Sequence, residues 1–140
     1  MKKICVSLIL CLVLISCQND IELNELSNYW EIKEVENPNG GVKKYTFNEN
    51  IDFFEIQENI GIRKKVKPQL DGSFIVTNDF ETFEIEELNG SYFLLFSTEY
   101  ASWKEEIKTL NDEKLVLKNE DGLLYTYRKF DNTFKDLLKE

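Results

Sequence analysis

The stretch FETFEIEELNGSYFLLFSTEY (80–100) decides the fold. In its first half Phe83 and Ile85 alternate with glutamates, a period of two that puts apolar side chains on one strand face and charges on the other. The second half is dense in aromatic and aliphatic residues, as strands are. Between them stands Asn89-Gly90, the pair best able to take positive φ at both central positions of a type I′ turn. The stretch reads as an antiparallel hairpin of well-specified register.

The same texture extends both ways. YWEIKEVE (29–36) places Trp30 and Ile32 on one face and stops at Asn37-Pro38-Asn39-Gly40-Gly41. A short strand is expected over 44–47, then IDFFEIQ (51–57) and IGIRKKVK (60–67) about Glu58-Asn59, then SFIVT (73–77) after Asp71-Gly72. Near the end EKLVLKN (113–119) and LLYTYRKF (123–130) flank Glu120-Asp121-Gly122, with glycine where a left-handed residue is wanted. The expected class is all-β: an eight- to nine-stranded antiparallel meander closing as a barrel, with short N- and C-terminal helices. The first helix is expected over 20–26. The second begins at Asp131 or Asn132, with Phe134, Leu137 and Leu138 on the side that docks on the barrel. Closure removes free edges, and about eight strands enclose either packed side chains or one small ligand.

Upstream, Lys2-Lys3 precedes an uncharged run from Ile4 to Ser16, the outline of a secretory signal. A spanning helix needs about 20 apolar residues, and this run is shorter and ends in Gln18-Asn19-Asp20. The organisation is a leader over 1–16, a tether over 17–22 and one domain over 23–140. The chain carries 17 basic and 26 acidic residues; without the two leader lysines the balance falls from −9 to −11. Such a surface repels phosphate backbones, which excludes nucleic acid as a partner. Cys5 and Cys11 lie in the leader, so Cys17 is left with no disulfide partner.

There is no histidine, which removes the usual general base, the commonest transition-metal ligand and every Ser-His or Cys-His arrangement. Glu84, Glu86, Glu87 and the pair Glu105-Glu106 read as the wet face of strands rather than as paired catalytic carboxylates. The chain is not expected to be an enzyme, and nothing in it indicates a metal, nucleotide or redox cofactor.

Two resemblances follow from particular residues. Leu14-Ile15-Ser16-Cys17 looks like the lipobox of bacterial lipoproteins, in which the cysteine becomes the lipidated first residue. This implies thioether-linked diacylglycerol and an amide-linked acyl chain such as palmitate, each buried CH₂ contributing about 0.8 kcal/mol to the anchor. In that family's sorting rule an aspartate after the cysteine favours the inner membrane. Gln18 therefore points to the outer membrane of the cell envelope, with the periplasmic or surface face left open.

The second resemblance is to the calycins, especially small lipocalin-like lipoproteins of Gram-negative bacteria. It rests on LSNYWEI, on the closing LNDEKLVLKNEDGLLYTYRKF, and on the order of a short helix, a strand headed by Trp30, a meander and a last strand with Arg128. It implies that Trp30 closes one barrel end beneath the guanidinium of Arg128, a contact contributing about 0.5–2 kcal/mol. Asn28 stands where that family has the glycine of Gly-x-Trp.

The resemblance implies a small hydrophobic or amphiphilic ligand inside the barrel, with Phe53, Phe74, Phe83, Tyr92, Phe96 and Trp103 as candidate lining and Phe93 among the strand aromatics. The alternative is a protein–protein interaction module, an accessory or inhibitor lipoprotein with a filled barrel and an envelope protein as partner. Its local support is the basic cluster Arg63, Lys64, Lys65 and Lys67. Lysines on an edge strand that discourage pairing between molecules explain the same cluster. Tyr100 and Trp103 are either an exposed recognition patch or the rim of the core.

Overall fold

A computed structural model describes residues 21–131. The leader, Cys17 and the expected C-terminal helix with Phe134, Leu137 and Leu138 lie outside the described residues. A 3₁₀ turn, Leu23–Leu26, stands in place of the expected first helix. Ten strands follow: β1 Tyr29–Glu36, β2 Val42–Lys44, β3 Ile51–Gln57, β4 Ile60–Pro68, β5 Phe74–Val76, β6 Glu81–Leu88, β7 Ser91–Ser97, β8 Ser102–Leu110, β9 Lys114–Asn119 and β10 Leu124–Lys129.

Eight of them close an antiparallel barrel in the order β1-β3-β4-β6-β7-β8-β9-β10, and β10 pairs back onto β1 from Trp30↔Lys129 to Glu36↔Leu124. The two short strands thicken the wall where it splits. β3 meets β1 only at Tyr29 and Trp30, and β2 takes over at Glu34–Glu36. Between these contacts the Asn48 side chain donates to the Ile32 carbonyl at 2.9 Å and to Glu31 Oε1 at 3.1 Å, satisfying a carbonyl the ladder leaves free. In the same way β4 pairs β6 over Ile60–Arg63 and β5 over Val66–Pro68. β4 is therefore an interior strand, and the edge-strand explanation of its lysines does not hold.

The opening hairpin folds as its sequence dictates. Thr82↔Ser97 through Leu88↔Ser91 pair in unbroken register, and Asn89 and Gly90 take φ of 52° and 79°. The strand missed in the sequence is β8, where Trp103, Glu105 and Ile107 alternate inward behind a run of charges.

One end of the barrel is capped. Leu26 from the 3₁₀ turn and Trp30 are fully buried there, and the Trp30 indole N–H donates to the Leu26 carbonyl at 3.1 Å. Ile21 and Leu23 pack on the same core, with Phe54, Leu110 and Leu115 below. Asn28 ties the cap to the wall: its side chain donates to the Glu25 carbonyl and its own carbonyl accepts the Phe54 N–H at 3.0 Å. It bridges rather than permitting the close approach that a glycine in its place would allow.

Candidate functional site

The chemistry inside the barrel gathers around Arg63, which β4 turns inward two residues after Gly61. Gly61 faces the Phe83 ring so closely that an added Cβ would lie 2.3 Å from Phe83 Cζ and 2.8 Å from the Glu55 carbonyl oxygen. The guanidinium donates from Nε to Glu81 Oε2 at 2.6 Å and from Nη1 to both oxygens of Glu105 at 3.3 Å. It also lies 4.2 Å from the Phe96 ring centroid. Trp103 stacks on Phe96 at 5.1 Å and donates its indole N–H to Glu105 Oε1 at 3.0 Å. Burial by itself would lower the Arg63 pKa; the facing carboxylates, Glu105 foremost and then Glu81, outweigh it and hold the pKa above the ordinary arginine value.

A second ion pair lies alongside. Asp52, only 3% exposed, faces Lys65 Nζ at 2.5 Å, off the line a hydrogen bond needs, and the Tyr127 hydroxyl bonds the same carboxylate. Burial, with the negative charge of Asp52 next, holds the Tyr127 pKa well above the usual tyrosine range. Tyr125 is raised as well, by burial and then by Glu105. Three carboxylates thus meet two cations and two phenols, with Arg63, Glu105, Asp52 and Tyr127 inside the barrel and Lys65 exposed at its edge. Every charge in the set faces an opposite one, and Asp52 Oδ1 alone among them is a buried oxygen that accepts no hydrogen bond. Among the described residues no group of three or more acidic, histidine or cysteine side chains is arranged to hold a metal ion.

The expected lining residues divide between the two faces. Phe83 and Phe96 are buried inward, and Tyr92 and Trp103 pack against the same core. Phe53 and Phe74 do not line the interior. Inward Asp52 and Phe54 force Phe53 outward, where Tyr29 packs on it at 4.7 Å; Phe74 stacks on Tyr29 at 4.4 Å and meets Phe130 at 6.3 Å. Phe93 also faces out, under Lys104.

Trp30 and Arg128 are not brought together either. Arg128 pairs across the strands with Glu31, the outward neighbour of Trp30, at 2.8 Å, so the indole and the guanidinium stand on opposite sides of the wall. Leu26 supplies the cover that the resemblance assigned to arginine. Nor do the four basic residues form one patch. Arg63 turns into the barrel, Lys65 is exposed and reaches Asp52 from the solvent side, Lys64 lies over the Phe80 ring, and Lys67 pairs with Glu49.

Sequence reasoning missed Glu105 and Asp52. Glu105 looks like a wet-face charge in the run Lys104-Glu105-Glu106, and Asp52 is a lone acid between Ile51 and Phe53; the available signal was parity, since Trp103, Glu105 and Ile107 share a face, as do Asp52, Phe54 and Ile56.

The outer aromatic seam opens into a groove of about 600 Å³, lined by Phe47, Pro68, Leu70 and Phe130 with Arg128 and Lys67 among its polar groups. Phe47 and Leu70 are 84% and 73% exposed.

No protein-family model and no curated protein sequence matches the chain. Two crystal structures are similar to it. A lipocalin-like protein from Bacteroides uniformis is 13% identical and aligns over 76% of this chain and 99% of its own, with a TM-score of 0.49. An uncharacterized protein from Bacteroides eggerthii is 15% identical over 75% and 99%, with a TM-score of 0.47. The strand pairing itself defines the chain as an all-β antiparallel eight-stranded barrel with two added strands.

Proposed function

We propose that the chain is a non-catalytic binding module, tethered through lipid on Cys17 to the outer membrane of a bacterial envelope, which takes a small amphiphilic ligand in the groove on its outer wall. The supporting observation is the contrast between the two faces of the barrel. Trp30, Phe54, Phe83 and Phe96 occupy the interior as fully buried side chains beside the Arg63 network, leaving those positions to the protein's own core. The outer groove has the volume of ordinary small-molecule sites and their pattern of apolar walls with a few polar groups. The Glu31–Arg128 and Glu49–Lys67 pairs at its side supply positions for a polar headgroup, while Phe47, Leu70 and Phe130 supply apolar contact. The lipobox-like Leu14-Ile15-Ser16-Cys17 and the uncharged run before it support the tether.

The test is a fluorescence titration with N-phenyl-1-naphthylamine. Saturable enhancement is expected in the wild type and in Phe96→Leu, and its loss in Phe47→Asp combined with Leu70→Asp, both exposed positions that leave the core intact. Enhancement that survives the outer pair and vanishes in Phe96→Leu would place the ligand inside the barrel instead.

A protein partner is the second reading, favoured by Tyr100. It is 90% exposed on a turn stiffened by Thr98, whose hydroxyl oxygen accepts from the backbone N–H groups of Tyr100 and Ala101. Tyrosines presented this way are frequent binding hot spots.

A further inference from the structure

We infer that the capped end of the barrel is the membrane-proximal face of the anchored protein and that the opposite end, with Tyr100, is its solution-facing surface; this rests on the lipid tether at Cys17. The structural basis is where the chain enters the fold. Ile21 bridges Leu110 in parallel, and the Glu22 N–H donates to the Leu110 carbonyl at 3.1 Å, so the start of the domain is fastened to the last residue of β8. Three residues separate Cys17 from Ile21, and the four steps between them can span at most about 14 Å.

The meander decides what shares that level. Because successive strands are antiparallel, the β3–β4, β6–β7 and β8–β9 turns lie at the end where Ile21 enters, and the β1–β2, β7–β8 and β9–β10 turns lie at the other. From Leu110 back along β8 to Ser102 is roughly 26 Å of strand at about 3.3 Å per residue. The Thr98–Ala101 turn sits beyond it. The tethered end carries exposed Glu58, Glu87, Asp112 and Glu113, with Glu22 beside the entry point and the cations Lys114 and Lys129 at the same level.

Once the leader is removed and Cys17 acylated, the mature chain has no other cysteine, so a single introduced thiol can be labelled cleanly. Asp112→Cys and Tyr100→Cys occupy exposed turns at the two ends. Each lipidated variant carries a fluorescent donor and is reconstituted on vesicles of phosphatidylethanolamine and phosphatidylglycerol containing a headgroup-labelled acceptor lipid. Co-sedimentation with the vesicles is scored separately and reports the anchor itself.

Strong loss of donor emission at position 112, with little at position 100, is the expected result. Equal loss at both positions, or greater loss at 100, in protein that sediments with the vesicles overturns the orientation while leaving the anchor standing. Protein that stays in the supernatant overturns the anchor and the orientation with it.

Discussion

At the scale of single residues, the interior depends on Arg63. Its partner Glu105 is 8% exposed, so removing the guanidinium leaves a desolvated carboxylate without its cation. Arg63→Ala is expected to destabilise the fold by about 3 kcal/mol in urea unfolding, whereas Arg63→Met combined with Glu105→Leu loses much less than the sum of the two single changes. A result that is additive within error would show that the two side chains do not act as a pair. Gly61→Ala is expected to cost about 2 kcal/mol by the same measurement, because the new methyl meets both a ring and a backbone oxygen.

Tyr127 gives a pH dependence with a definite sign. Its folded pKa lies above its unfolded one, so its contribution is fully present below the ordinary tyrosine pKa. That contribution is lost as pH rises through the folded pKa, because the unfolded chain gives up the proton first. Stability above about pH 10 should therefore fall less steeply in Tyr127→Phe than in the wild type, read as the difference between their urea midpoints across that range. None of these roles was visible residue by residue, since Arg63 and Glu105 stand among other charges in the sequence. Only the neighbours two positions away reveal which way each one points.

At the scale of elements, the sequence was most legible where turn chemistry and alternation agree. Asn89-Gly90 and Gly122 adopt the left-handed conformations their types suit, and the 51–57 strand has the expected extent; the hairpin pairs as expected, but its second strand ends at Ser97, where the Thr98–Ala101 turn begins, rather than at Tyr100. Gly90→Ala is expected to cost about 1 kcal/mol in the same assay, from the positive φ alone, since nothing stands within 4 Å of the added Cβ. Legibility failed where both strand faces are apolar. In β3, Phe53 and Phe54 are equally hydrophobic, and tertiary pairing with Tyr29 outside and Arg63 inside decides between them. Ile51 and Val66 are buried although they flank inward Asp52 and its partner Lys65, so in this part of the wall apolar character does not mark the inner face.

At the scale of the whole molecule, the sheet closes on itself and buries Trp30, Phe54, Phe83 and Phe96 inside, and the proposed contact surface is its outer wall. Closure makes β1 and β10 interior strands, so their amides should exchange as slowly as those of β7 and β8 in native-state hydrogen exchange. Fast exchange along Ile32–Glu36 and Leu124–Tyr127 would mean an open sheet. The barrel was legible from strand count and turn spacing. The division of the aromatic side chains between its two faces was not, because it depends on which side of each strand packs inward.

The two tryptophans provide the most direct test of that division, one in the cap and one beside Glu105. In a ¹H–¹⁵N titration with a lysophospholipid below its micelle concentration, the account predicts shifts at Phe47, Leu70, Arg128 and Phe130, with both indole N–H signals unmoved. Shifts concentrated at the Trp103 indole, Phe83 and Phe96, with the outer groove silent, would contradict it.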